Sequence, residues 1–91
     1  LIQSETAAYF SISTDDLCGA SRTQSVVMAR QMAMYLCREM TTMSLPKIGE
    51  AFGGRDHSTV IHACQKIAEN TQSNTDFKNL VVRISNEIKG E

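Results

Sequence analysis

The stretch from Ser44 to Ile67 reads SLPKIGEAFGGRDHSTVIHACQKI, and its punctuation decides the fold. Ser44 is a helix N-cap residue, and Pro46 falls in the first turn, where its missing N–H costs little. Gly53 supplies a left-handed stop, so this helix is only about two turns long. Asp56 then caps a second helix, whose Val60, Cys64 and Ile67 form an apolar stripe. Two helices joined by a short glycine-containing turn make a helix-turn-helix.

The flanking sequence is helical too. A long helix is predicted from about Ser25 to Thr41, rich in strong helix formers. Its Ala29, Ala33, Leu36 and Met40 face a core, and Arg30, Gln31 and Arg38 lie outside or at an edge. Gly19–Ser25, GASRTQS, is small and polar, hence a loop. Before it, Ser13 or Thr14 caps a short helix with Asp15 and Asp16 in its first turn and Gly19 at its stop. Ile2, Thr6 and Tyr9 share one face of a first helix. Residues 69–76, ENTQSNTD, form a polar connector, and Phe77, Leu80, Val81, Ile84 and Ile88 define a last amphipathic helix. The two-residue alternation of strands is absent, as are repeats and low-complexity tracts. The expectation is one all-α domain over residues 1–91, a small helical bundle without a sheet, cut from a longer cytosolic protein.

Composition narrows the function. No stretch approaches the roughly 20 apolar residues of a membrane span. Cys18, Cys37 and Cys64 are odd in number and widely spaced, which predicts buried thiols rather than disulfides or a zinc site. The net charge is −1, yet it is unevenly spread. Residues 22–66 hold six cations against three acids, whereas residues 1–21 hold three acids and no cation, and residues 67–91 carry a net −1. Positive charge is thus concentrated around the helix-turn-helix, where a polyanion would need it.

Reactive chemistry fits the same stretch poorly. His57 and Ser58 point about 100° apart on a helix, so no base faces a nucleophile. His57 and His62 are five residues apart, unlike the i, i+4 pair that grips zinc, and there is no phosphate loop with its Lys-Ser or Lys-Thr. No catalytic or metal residue is assigned. Asp56 can serve purely as a cap and Arg55 as a solvated turn residue, but the first turn of such a helix also enters the DNA major groove. Arg55, Asp56, His57, Ser58 and Thr59 suit that position: a carboxylate accepts from cytosine N4, His meets base edges, and hydroxyls serve base or phosphate. The residues alone leave two other readings open, a helix-turn-helix transcription regulator and a protein-interaction module using the surface from His57 to Lys66.

SLPKIGEAFGGRDHSTVIHACQKI, together with RQMAMYLCREMT at Arg30–Thr41, resembles the signature of the C-terminal DNA-binding domain of the bacterial DnaA replication initiators. The resemblance spans essentially the whole chain. It implies sequence-specific binding of duplex DNA at DnaA boxes of the replication origin and some promoters, in the cytoplasm at the nucleoid. Asp56, His57 and Ser58 then read bases in the major groove, with Thr59 beside the backbone. Leu45 and Pro46 meet the DNA strand, Arg30, Gln31, Arg38 and Lys66 face phosphates with Arg55 flanking, and Arg22 enters the minor groove. No cofactor is expected in this fragment, ATP belonging to a separate nucleotide-binding module. Other DnaA protomers, regulatory proteins and acidic phospholipids are partners expected of the longer protein. Two departures from the family pattern stand out. The loop holds Arg22 alone, with Gln24 and Met28 where cations are common, which predicts weaker nonspecific affinity. Ser58 replaces the commoner Thr, and loss of one good base contact costs roughly 1 to 3 kcal/mol.

Overall fold

The computed structural model describes residues 2–90. Leu1, where the chain starts, and Glu91, one of the acids of the final segment, lie outside the described residues. Six helices follow in order: α1 (Ile2–Tyr9), α2 (Thr14–Cys18), α3 (Gln24–Met40), α4 (Leu45–Ala51), α5 (His57–Ser73) and α6 (Thr75–Lys89). Among the described residues there is no strand. The all-α bundle expected from the apolar spacing is therefore the one that forms.

Side-chain caps set most of the boundaries. Ser13, Ser44, Asp56 and Asn74 each accept a hydrogen bond from the amide three residues on, satisfying a donor that the first helical turn leaves open. Asn74 also ends α5. The polar connector expected over residues 69–76 thus shrinks to this one residue. Residues 69–73 stay helical because little in them opposes it, and the hydroxyls of Thr71 and Ser73 fold back onto the carbonyls of Ile67 and Glu69.

The long helix α3 is the spine. Its Ala29, Ala33, Met34 and Cys37 pack with Leu17, Ile48, Phe52, Val60, Ala63 and Cys64 into one apolar cluster. Met32 and Leu36, on its other flank, meet Ile67, Val81 and Ile84 in a second. The small side chains Ala29 and Ala33 let neighbouring helices approach α3 closely, and dense packing of this kind supplies most of a small domain's stability. Met40, expected in the core, is half-buried at the helix end. In α1 the buried pair is Thr6 and Ala7, while Tyr9 is exposed and rests edge-on against Phe10. The reason is local: the helix stops at Tyr9, Ser11 takes a left-handed φ of 58°, and the reversed chain delivers Phe10 and Ile12 to the core in place of Tyr9.

Cys37 and Cys64 are buried free thiols and Cys18 is half-buried. Burial pushes the Cys37 thiol up to about 11. Burial also raises Cys64, opposed by the neighbouring Arg38 guanidinium.

Candidate nucleic-acid interface

α4 and α5 meet through a tight turn built on one carbonyl. Gly49 O accepts from the amides of Gly54, at 3.1 Å, and Arg55, at 2.9 Å. A Cβ on Gly49 would lie 2.0 Å from the Arg55 carbonyl oxygen, so only glycine allows the two backbones to come this close. Gly53 and Gly54 turn the chain with φ of 89° and 79°. The turn is therefore fixed in shape, and it sets the angle at which the start of α5 leaves the body.

That start is fully displayed. Asp56, His57, Ser58 and Thr59 are all exposed, while Val60, Ala63, Cys64 and Ile67 root the helix in the core. Asp56 Oδ1 accepts from Thr59 N at 3.0 Å and from Thr59 Oγ1 at 3.1 Å. The Thr59 amide, then its hydroxyl, hold the Asp56 carboxyl below its ordinary range. Asp56 thus combines the capping role with an ionised, solvent-facing carboxylate. The helix N-terminus beside it favours an anion in the same way that it favours this one.

The arginines separate into two groups. Arg22 is exposed on the loop between α2 and α3, with Ser21 and Thr23 on either side linked through their hydroxyls. Arg38 is exposed on α3, but it lines a recess with Tyr35, Glu39, Cys64 and Gln65. Arg30, expected outside or at an edge, is instead only 8% exposed. Its Nε donates to Leu17 O at 2.7 Å, and its Nη2 to the carbonyls of Asp16, Gly19 and Ser21 at 3.1 to 3.2 Å. Burial, and then the nearby charge of Arg55, lower its pKa. The end of α2 draws Arg30 inward: a five-residue helix leaves open carbonyls, and a guanidinium with five donors closes them. Arg55 is likewise not a solvated turn residue. Its guanidinium donates to the carbonyls of Cys18, Gly19 and Phe52.

A cleft of about 300 Å³ runs between α3 and α5. Gln31, Thr59, His62 and Lys66 line it together with Arg30 and Arg55. Gln31 and Lys66, far apart in sequence, are thus brought to one cleft. Leu45 is half-buried against the core and Pro46 is exposed at the start of α4. His62, to which the sequence assigns no binding role, lies three residues after Thr59 and four before Lys66 on the same helical face and lines the cleft with them. Among the described residues, no group of three His, Cys, Asp or Glu side chains could hold a metal ion, and no helix is long and apolar enough to cross a membrane.

These elements define the class, a helix-turn-helix domain whose second helix presents a polar first turn and a cationic flank. Residues 1–67 match the family model described as the bacterial DnaA protein helix-turn-helix. The chain belongs to that family. It is 57% identical over 88 residues to the chromosomal replication initiator protein DnaA of Cutibacterium acnes, an alignment covering 97% of this chain and 18% of that protein. The corresponding protein of Leifsonia xyli subsp. xyli is 52% identical, with 97% and 19% covered. A crystal structure of a DNA replication initiation factor superposes with a TM-score of 0.85 at 35% identity, over 94% of this chain and 26% of that one. The chain spans less than a fifth of the length of these two DnaA relatives.

Proposed function

We propose that this domain binds duplex DNA and recognises DnaA boxes, the first turn of α5 reading bases while the cleft and the Arg22 loop hold the strands. The observation that carries this reading is the exposed run Asp56–Thr59 at the start of the second helix, with the body of that helix rooted in the core. Family membership supports it, since the relatives are named chromosomal replication initiators.

The roles follow from chemistry. With Asp56 Oδ1 occupied by the cap, Oδ2 is the oxygen that accepts from a cytosine N4 amine. His57 and Ser58, the next exposed side chains, meet base edges, and Ser58 offers a hydroxyl without the methyl that would touch thymine. Lys66, Gln31, His62 and Thr59 line a trough suited to backbone phosphates. Arg38, exposed on α3, and Pro46, exposed at the start of α4 beside the half-buried Leu45, add further contacts to the strand. Arg22, a lone cation on an exposed loop, enters the minor groove. In the longer protein this domain addresses the origin, and an ATP-binding module, further protomers, regulators and acidic phospholipids belong to the rest of that protein.

Titrating the domain against a duplex containing a DnaA box and against the same bases scrambled, at one salt concentration, tests the reading. Preference for the box is expected, with affinity falling steeply as salt rises because counterions are released from several phosphates. Equal affinity for the two duplexes contradicts box recognition. An affinity insensitive to salt favours a protein partner instead.

A further inference from the structure

Two guanidiniums tie the Arg22 loop to the start of α5. Arg55 immediately precedes the Asp56–Thr59 turn and reaches back to the carbonyls of Cys18 and Gly19. Arg30 takes the Gly19 carbonyl as well, at 3.2 Å, and the carbonyl of Ser21, the residue before Arg22, at 3.1 Å. Gly53 closes the join: a Cβ there would lie 2.2 Å from the Cys18 carbonyl oxygen, so the helix-turn-helix turn sits directly on the end of α2.

Resting on the DNA-binding reading above, we propose that Arg30 and Arg55 are positioning residues. Through the shared Gly19 carbonyl they fix the offset between Arg22 and the groove-facing turn of α5, so that the minor-groove and major-groove contacts engage one DNA site in register. The arrangement compensates for a loop with a single cation. A cation on a loop whose backbone is anchored on its N-terminal side, at Gly19 and Ser21, leaves less chain freedom to lose on binding than the same cation on a free loop. A planar fork suits the join, because Nη1 of Arg55 donates to the Cys18 and Phe52 carbonyls while Nη2 donates to that of Gly19, a paired geometry that the point charge of a lysine ammonium lacks.

A double-mutant cycle on box affinity tests this, using Arg55→Lys and Arg22→Ala, with circular dichroism and thermal unfolding recorded for each variant. Arg55→Lys keeps the charge, so it is expected to weaken box binding roughly tenfold in the parent and almost not at all in the Arg22→Ala background. Equal losses in both backgrounds, or no loss in either, overturn the proposal. Insertion of one Gly between Ser21 and Arg22 provides a second arm should Arg55→Lys fail to fold, since it removes no donor or acceptor of the two guanidiniums and displaces Arg22 together with the Ser21–Thr23 hydroxyl link. It is expected to cost as much affinity as Arg22→Ala; unchanged affinity overturns the proposal. A parent domain that does not prefer the box over the scrambled duplex would instead defeat the underlying DNA-binding reading, so the two failures are distinguishable.

Discussion

Arg30 of α3 and Arg55 of the turn before α5 donate to the same acceptor, the carbonyl oxygen of Gly19, at 3.2 and 2.5 Å. Two like charges can share this site because the end of α2 presents a cluster of carbonyls, the negative end of a helix, to both of them. Removing Arg30 leaves the carbonyls of Asp16, Leu17 and Ser21 without their charged donor, while Gly19 keeps Arg55. Arg30→Ala is expected to lower the unfolding free energy by about 2 to 3 kcal/mol, the range for losing hydrogen bonds to a charged group, whereas Arg38→Ala on the exposed face of the same helix stays within about 0.5 kcal/mol. Urea denaturation of the two variants checks the contrast.

Gly49 is the second pressure point. A methyl group at this position would meet the Arg55 carbonyl at 2.0 Å, and backbone cannot step aside as a flexible side chain would. Gly49→Ala raises helix propensity yet is expected to destabilise by about 1 to 3 kcal/mol or more, because overpacking outweighs a propensity gain of about 1 kcal/mol. A rise in thermal midpoint would show that the turn can open.

Thr6 offers the opposite sign. Its hydroxyl oxygen is buried without a hydrogen-bond partner among the described residues, and the side chain is fully covered. Thr6→Val keeps the shape and β-branching and removes the unsatisfied group. An increase of about 1 kcal/mol in stability is expected by chemical denaturation.

Asp56 makes the start of α5 sensitive to acid. Its folded-state pKa lies below the ordinary 3.8, chiefly through the Thr59 amide. The native state therefore favours the carboxylate: the contribution is present above 3.8 and is lost as pH falls through the lower folded value. Asp56→Asn keeps an acceptor for the cap but cannot titrate. Thermal midpoints measured from about pH 6 down to about pH 3 are expected to fall more for the parent than for the variant, and parallel curves would remove the cap from the account.

The legible part of the sequence was local. Ser44, Asp56 and Gly53 act on atoms within a few residues, so their types disclosed the two helices and the turn, and the apolar spacing of α5 and α6 disclosed the faces they bury. The fate of Arg30 was not legible, because its partners lie 9 to 14 residues away on a loop whose path depends on the whole bundle. Arg55, bonded across 36 residues to Gly19, was hidden for the same reason. The short connector before α6 was not legible either, because polar residues 69–73 resemble a loop in composition, while one Asn both ends a helix and caps the next. His62 was within reach of periodicity alone, sharing a face with Thr59 and Lys66.

If the first turn of α5 reads bases while its neighbours hold the backbone, His57 is where the two functions separate. The decisive measurement is the affinity of His57→Ala for the box duplex and for the scrambled duplex across a salt series. The variant is expected to remain folded, to lose the roughly 1 to 3 kcal/mol of one base contact on the box duplex while its affinity for the scrambled one is unchanged, and to keep the parent's salt slope, since an exposed side chain is removed and no phosphate contact is lost. Full retention of the box preference by folded His57→Ala would contradict base reading by this turn.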